Sequence, residues 1–177
     1  MSTTPELLTR NQKFASDFAA ADMPILPKLR TVIVTCVDAR VDPAHVLGLE
    51  LGDAVVMRNN GGRVTREVIE EIATLAFMVA KIDGDTPGSF EVVLMQHTQC
   101  GAERFADPAF QSAIKGHLGI DVSEVAITNH EKDLKRDIQR LRDAEEIPRY
   151  VVVSGFIYDV HDGLVRQIVA PAKLSDK

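Results

Sequence analysis

The chain has 177 residues, 45% of them hydrophobic, with two Cys, no Trp and a formal net charge of -6 from 20 basic and 26 acidic side chains. That is enough apolar material for one domain with a real core, and the acidic balance excludes the basic stripe on which nucleic-acid binding depends. The N-terminus has no basic patch leading into an apolar stretch, and the longest apolar region, around 72–80, is too short to cross a bilayer. The expectation is a cytoplasmic protein with neither nucleic-acid nor membrane partners.

Residues 5–20 read as a polar leading helix whose apolar side chains, Leu7, Leu8, Phe14 and Phe18, ask for a surface to pack on. Residues 1–25 are therefore an N-terminal helical arm on a single domain covering 1–177. The β-branched run Thr31–Thr35 predicts a first strand, followed at once by the Cys36 motif, and Pro43 suits the first turn of a short helix through Leu47. Ala54–Arg58 reads as a second strand. It is followed by Asn59-Asn60-Gly61-Gly62, a turn in which positive φ is cheap. Thr65 is placed to cap a helix whose apolar positions Val68, Ile69, Ile72, Leu75, Ala76 and Val79 recur at helical spacing. The break Asp83-Gly84-Asp85-Thr86-Pro87-Gly88 ends it, and Phe90–Gln96 reads as a third strand delivering His97 and Cys100 at its carboxyl end. Thr128 with Glu131 fits a capping box before a helix through Ala144, with Leu134, Ile138 and Leu141 as its apolar stripe. Tyr150–Phe156 gives a fourth strand, and Asp162-Gly163 turns a hairpin into a fifth over Leu164–Val169. Strands alternating with helices predict an α/β fold: a mostly parallel central sheet of four strands, a fifth antiparallel edge strand, and helices on both faces. Ligands of such sheets gather at the carboxyl ends of the strands.

That edge carries the chemistry. Each cysteine closes an apolar run beside another metal-binding group: Cys36 in Cys-Val-Asp-Ala-Arg, Cys100 in His-Thr-Gln-Cys. Zinc takes sulfur and nitrogen ligands tetrahedrally, and a catalytic zinc keeps three protein ligands and one open position. Cys36, His97 and Cys100 make such a set, and the two residues between His97 and Cys100 let both turn onto one ion. Either half alone reads as an ordinary core cysteine or an unengaged histidine; the joint arrangement points to a metal. The competing reading is a disulfide, although cysteines without a secretory signal fit a reducing compartment. Asp38 and Arg40 read either as a solvent-facing ion pair or, beside Cys36, as catalytic groups. There is no Cys-x-x-Cys pair, three residues instead of five separate Cys36 from Arg40, and no Gly-rich dinucleotide fingerprint occurs. Redox, phosphatase and dinucleotide chemistry are accordingly weak readings.

Cys-x-Asp-x-Arg after the first strand, Arg58-Asn59 with Gly61-Gly62 after the second, and His-x-x-Cys-Gly after the third resemble the β-class carbonic anhydrases. The resemblance runs from about Thr31 to Gly101 and resumes at Val153–Asp159, with the hairpin glycine at Gly163. The segment Leu47–Ala54 and the absence of Trp resemble the compact members, a group that includes carbonyl sulfide and carbon disulfide hydrolases. The resemblance implies a Zn(2+) cofactor held by Cys36, His97 and Cys100, with Asp38 and Arg40 as an aspartate-arginine dyad. Asp38 would accept a hydrogen bond from zinc-bound hydroxide, or ligate the metal itself in a resting form, and so belongs to both the catalytic and the metal-binding groups. The implied reaction is reversible hydration of carbon dioxide to bicarbonate and a proton. Hydrolysis of carbonyl sulfide or carbon disulfide is the alternative, and a non-catalytic zinc-stabilised binding domain is a third reading of another class. The resemblance also implies a homodimer or higher homo-oligomer with active-site clefts along the subunit interface. Two departures bear on substrate: Glu50 stands where plant-like members carry a donor glutamine, and Asn60 where a small alanine is expected. Nothing singles out a proton shuttle among His45, His117, His130 and His161.

Overall fold

The structure, a computed structural model, describes residues 2–84 and 88–176. A five-stranded sheet runs in the order β2-β1-β3-β4-β5. Its strands are β1 (Thr31–Cys36), β2 (Ala54–Asn59), β3 (Glu91–His97), β4 (Val152–Tyr158) and β5 (Val165–Lys173). The first four pair in parallel and β5 runs antiparallel to β4. The α/β class, the parallel core and the antiparallel edge strand are as the sequence predicts.

Alternation on the strands decides what each face buries. Val32 and Val34 of β1, Val92 and Leu94 of β3, and Val153 and Ile157 of β4 join one core with two helices. These are α3 (Arg66–Ile82), through Val68, Ile72, Ala76 and Val79, and α5 (His130–Asp143), through Leu134, Ile138 and Leu141. Gly155 leaves room for this packing, since a Cβ there would lie 3.0 Å from Ile138 and 3.1 Å from Leu134. A fully buried ion pair also crosses the core: Arg63 Nε donates to Asp137 Oδ2 at 2.6 Å and Nη2 to Oδ1 at 3.1 Å. The same guanidinium donates to the Ala126 carbonyl, so the pair has backbone support as well as charge.

Several boundaries differ from expectation. The leading helix α1 is Thr4–Ser16 and buries no residue; Leu7, Leu8, Phe14 and Phe18 are all exposed. Thr65 caps α3, accepting from Val68 N, and the short α2 (Pro43–Val46) is capped by Asp42. Part of the break after α3, at 85–87, lies outside the described residues. The cap of α5 is Asn129, whose side chain accepts from Lys132 N, and not Thr128. Asp133, inside the first turn and buried, reaches back to accept from the backbone N–H groups of Thr128 and Asn129, while Glu131 pairs outward with Arg166. β4 starts two residues later than expected because Val151 N closes a turn onto the Pro148 carbonyl. β5 continues past Pro171, which an edge strand with register shifts tolerates. Helix α4 (Pro108–Leu118) has no counterpart in the sequence reading. Among the described residues no helix is long and apolar enough to cross a membrane.

Candidate metal centre and its approach

β1 lies between β2 and β3 although β2 follows it in sequence, so connections leave neighbouring strands β1 and β3 in opposite directions. The carboxyl ends of such a strand pair open into a crevice. Cys36 ends β1, His97 ends β3, and Cys100 follows one turn later. All three are buried, with ligand atoms within 4.8 Å of one another. The Cys36 and Cys100 sulfurs are 3.7 Å apart, which matches the separation of about 3.8 Å for two thiolates on one tetrahedral zinc at about 2.3 Å. It is far too long for a disulfide, and both cysteines are free.

His97 supplies the sharpest test of whether a metal fits. Its Nδ1 faces the Thr98 carbonyl at 2.9 Å and donates there, which puts the free lone pair on Nε2. Nε2 is buried and has no hydrogen-bond partner. A buried acceptor left orphaned costs free energy unless something takes it, and this one is aimed at two sulfurs. The residues therefore fit a zinc ion, and Cys36, His97 and Cys100 would hold it. Burial and the shared hydrogen bond also divide the two thiols: the bond from Cys100 lowers Cys36 well below the ordinary thiol value, while Cys100 is held high by that bond and by burial.

Asp38 and Arg40 stand together at the mouth. Arg40 Nε donates to Asp38 Oδ1 at 3.0 Å, Nη2 to Oδ2 at 2.7 Å, and the Arg40 backbone N–H to Oδ1 at 2.9 Å. These bonds hold the Asp38 carboxyl below the usual carboxylate range. Its Oδ2 stays 3.9 Å from His97 Nε2, within reach of the ligand set while committed to Arg40. The Arg40 fork also donates to the Gln99 carbonyl at 3.1 Å, tying the Cys36 loop to the His97–Cys100 turn.

Two groups that the sequence reading gave no role in the site help to shape it. Arg58 donates to the Cys36 carbonyl at 3.0 Å and the Asp38 carbonyl at 2.7 Å, fixing the loop from below. Glu103 accepts from the Cys100 N–H at 3.2 Å and faces His130 Nε2 at 2.9 Å. The only advance signal for Glu103 is its place three residues after Cys100. Gly62 closes the floor, packed directly on the Thr35–Cys36 backbone. A cavity of 260 Å³ opens over Cys36 and Asp38, lined also by Val37, Asn60, Gly61, Gly101, Ala102 and Phe105. Asn60 thus borders the approach, whereas Glu50 is exposed and absent from this lining.

The family model for carbonic anhydrase matches residues 31–150, the span that carries every group just described. The chain belongs to the β-carbonic anhydrase family. The β-carbonic anhydrase 1 of Mycobacterium tuberculosis is 30% identical over 170 residues, covering 95% of this chain and 99% of that protein. A carbonic anhydrase structure from Streptococcus mutans superposes with a TM-score of 0.80 at 35% identity, covering 95% and 98%. A carbon disulfide hydrolase of Acidithiobacillus thiooxidans is 25% identical over 189 residues, covering 90% of each chain. β-Carbonic anhydrase relatives and carbon disulfide hydrolases thus both align along nearly the whole chain.

Proposed function

We propose that this β-carbonic anhydrase family member is a zinc enzyme that reversibly hydrates carbon dioxide to bicarbonate and a proton. The observation that carries the reading is the buried Cys36, His97 and Cys100 cluster with its unpartnered Nε2, of which Cys36 lines a cavity that Arg40-bound Asp38 also borders. Zinc held there would bring the pKa of a bound water down to roughly 7 and so supply hydroxide near neutral pH.

The remaining work falls to the chain. Asp38, ionised and held by Arg40, accepts a hydrogen bond from the attacking oxygen and turns a lone pair toward the carbon of a linear substrate. Arg40, always protonated, holds Asp38 charged and committed to the guanidinium, so that the carboxylate would not itself take a place on a bound ion. Val37, Ala102 and Phe105 give the small substrate an apolar approach. One water and one carbon dioxide become bicarbonate, and the proton leaves to buffer. A non-catalytic zinc domain fits less well, because it would spend Asp38 on closing the coordination shell instead of on Arg40.

Carbonyl sulfide or carbon disulfide hydrolysis is the second reading. The apolar walls and the similarity to carbon disulfide hydrolases favour it. A paired assay of zinc-loaded protein separates the two: carbon dioxide hydration by stopped flow, and sulfide release from carbonyl sulfide and carbon disulfide. Sulfide release with negligible hydration would overturn the first reading. The two thiolates need a reducing compartment to stay ligands, which supports a cytoplasmic placement. Helix α1 buries no residue and exposes Leu7, Leu8 and Phe14, with Phe18 exposed just beyond it, which supports a homo-oligomer in which the arm packs on a neighbouring subunit.

A further inference from the structure

Two neighbouring asparagines at the end of β2 do different work. Asn59 is consumed by its own turn: its Oδ1 accepts from Arg63 N at 2.8 Å and its Nδ2 donates to the Arg63 carbonyl at 2.8 Å. The Asn60 carboxamide, one residue on and exposed, has no hydrogen-bond partner among the described residues. Asn60 is one of the residues that line the 260 Å³ cavity over Cys36 and Asp38.

The cavity is short of donors. Its other side chains are apolar, or belong to Cys36, or to Asp38, which only accepts. The Arg40 fork is spent on Asp38 and the Gln99 carbonyl. Asn60 is therefore the one amide N–H that a side chain of this lining offers to a molecule bound there. On its other side Asn60 borders a second cavity whose charged lining is Arg58, Glu67, Glu71 and Asp121. Three acids against one base make that second cavity unfavourable to an anion.

We propose that Asn60 is a specificity-determining residue, whose carboxamide N–H donates to an oxygen of bicarbonate and favours oxygen-bearing substrates over carbon disulfide. The assignment rests on the carbon dioxide reading. Hydration moves negative charge onto the substrate's oxygens, so a donor waiting there binds the transition state and bicarbonate more strongly than neutral carbon dioxide. Sulfur is a poorer acceptor than oxygen, so charge building there gains less from the same donor. A site built around such a donor also disfavours a ligand that cannot use it.

The test uses zinc-loaded full-length protein with Asn60→Ala and Asn60→Asp. The first removes the donor and widens the cavity; the second keeps its size and leaves only an acceptor. Bicarbonate binding is read by titration calorimetry, beside kcat and KM for carbon dioxide hydration and sulfide release from carbon disulfide. Zinc content and thermal midpoint check that each variant is folded, and Asn60→Ser replaces either one that is not. Both variants should bind bicarbonate about 10-fold more weakly and lose about 10- to 100-fold in kcat/KM for carbon dioxide, mostly in kcat, with carbon disulfide turnover within about threefold of wild type. Variants that bind bicarbonate as wild type does, a wild type that binds none, or equal losses on both substrates overturn the assignment. Asn60-dependent bicarbonate binding in a protein that does not hydrate carbon dioxide supports the assignment and overturns the activity reading instead.

Discussion

Gly62 and Gly48 give a controlled pair of substitutions that tests how the metal centre is floored. Both sit in the left-handed region, at φ +62 and +65, but their surroundings differ. A Cβ on Gly62 would lie 2.8 Å from the Thr35 carbonyl carbon, 2.9 Å from Cys36 N and 3.0 Å from Thr35 Cα, whereas one on Gly48 meets nothing within 4 Å. Alanine at either site carries the left-handed cost of about 1–2 kcal/mol, offset by about 0.4–1 kcal/mol from a stiffer unfolded chain. Only Gly62→Ala adds a clash, and the atoms it meets are backbone that no rotamer change can clear, so overpacking costs a further 1–3 kcal/mol or about that. Gly48→Ala should therefore lose about 1 kcal/mol and Gly62→Ala about 2–4 kcal/mol, a large part of the roughly 5–15 kcal/mol that holds a domain folded. Urea unfolding of the zinc-loaded proteins, compared at equal m-value, measures the difference. Because the displaced backbone is that of Cys36, Gly62→Ala should also weaken zinc binding. Two variants within 0.5 kcal/mol or so of each other would refute the reasoning, since the steric cost of about 1–3 kcal/mol would then be absent.

Three further outcomes follow from the same contacts. Arg40→Met should retain zinc and lose about 100-fold or more of carbon dioxide hydration, because Asp38 is freed to take the open position. Asp38 is depressed by Arg40, so in wild type its ionised form persists as pH falls; in the variant the acid limb of the rate profile should move to higher pH, and an unmoved limb would count against the dyad. Asp137→Leu should destabilise by about 3–5 kcal/mol by stranding buried Arg63, while Arg63→Met with Asp137→Leu should recover most of that loss in the same urea assay; a small single-variant loss would show that the pair matters little. Deleting residues 1–20 should leave the sheet domain folded, because α1 buries nothing there, but lower the number of subunits per particle seen by sedimentation; an unchanged subunit number would remove the arm from the assembly.

What the sequence revealed, and what it hid, follows from the range of the forces involved. The strands and α3 were legible because burial repeats at fixed spacing within each element: Val68, Ile72, Ala76 and Val79 occupy one helix face. The metal ligands were legible because they sit just where apolar runs stop, at Cys36 and His97. Helix α4 was invisible because it buries no residue and so carries no apolar stripe; its signals were the Asp107-Pro108 start and the left-handed Gly119 after its end. The cap of α5 falls at Asn129, one residue after Thr128, and it is buried Asp133, not Glu131, that reaches back to the Thr128 and Asn129 amides. Arg63 and Asp137 are 74 positions apart, and Arg58 reaches back 22 positions to the Cys36 carbonyl. No local pattern announces such partners. Asn60 was visible as an oddity, and only the fold sets it beside the Cys36 cavity.

X-ray absorption at the zinc edge of the purified protein tests the central claim most directly. The account predicts stoichiometric zinc with two sulfurs at about 2.3 Å and light-atom scatterers, one of them imidazole nitrogen, at about 2.0–2.2 Å. Protein without stoichiometric zinc whose Cys36 and Cys100 are joined to each other, or a zinc shell without sulfur, would contradict it.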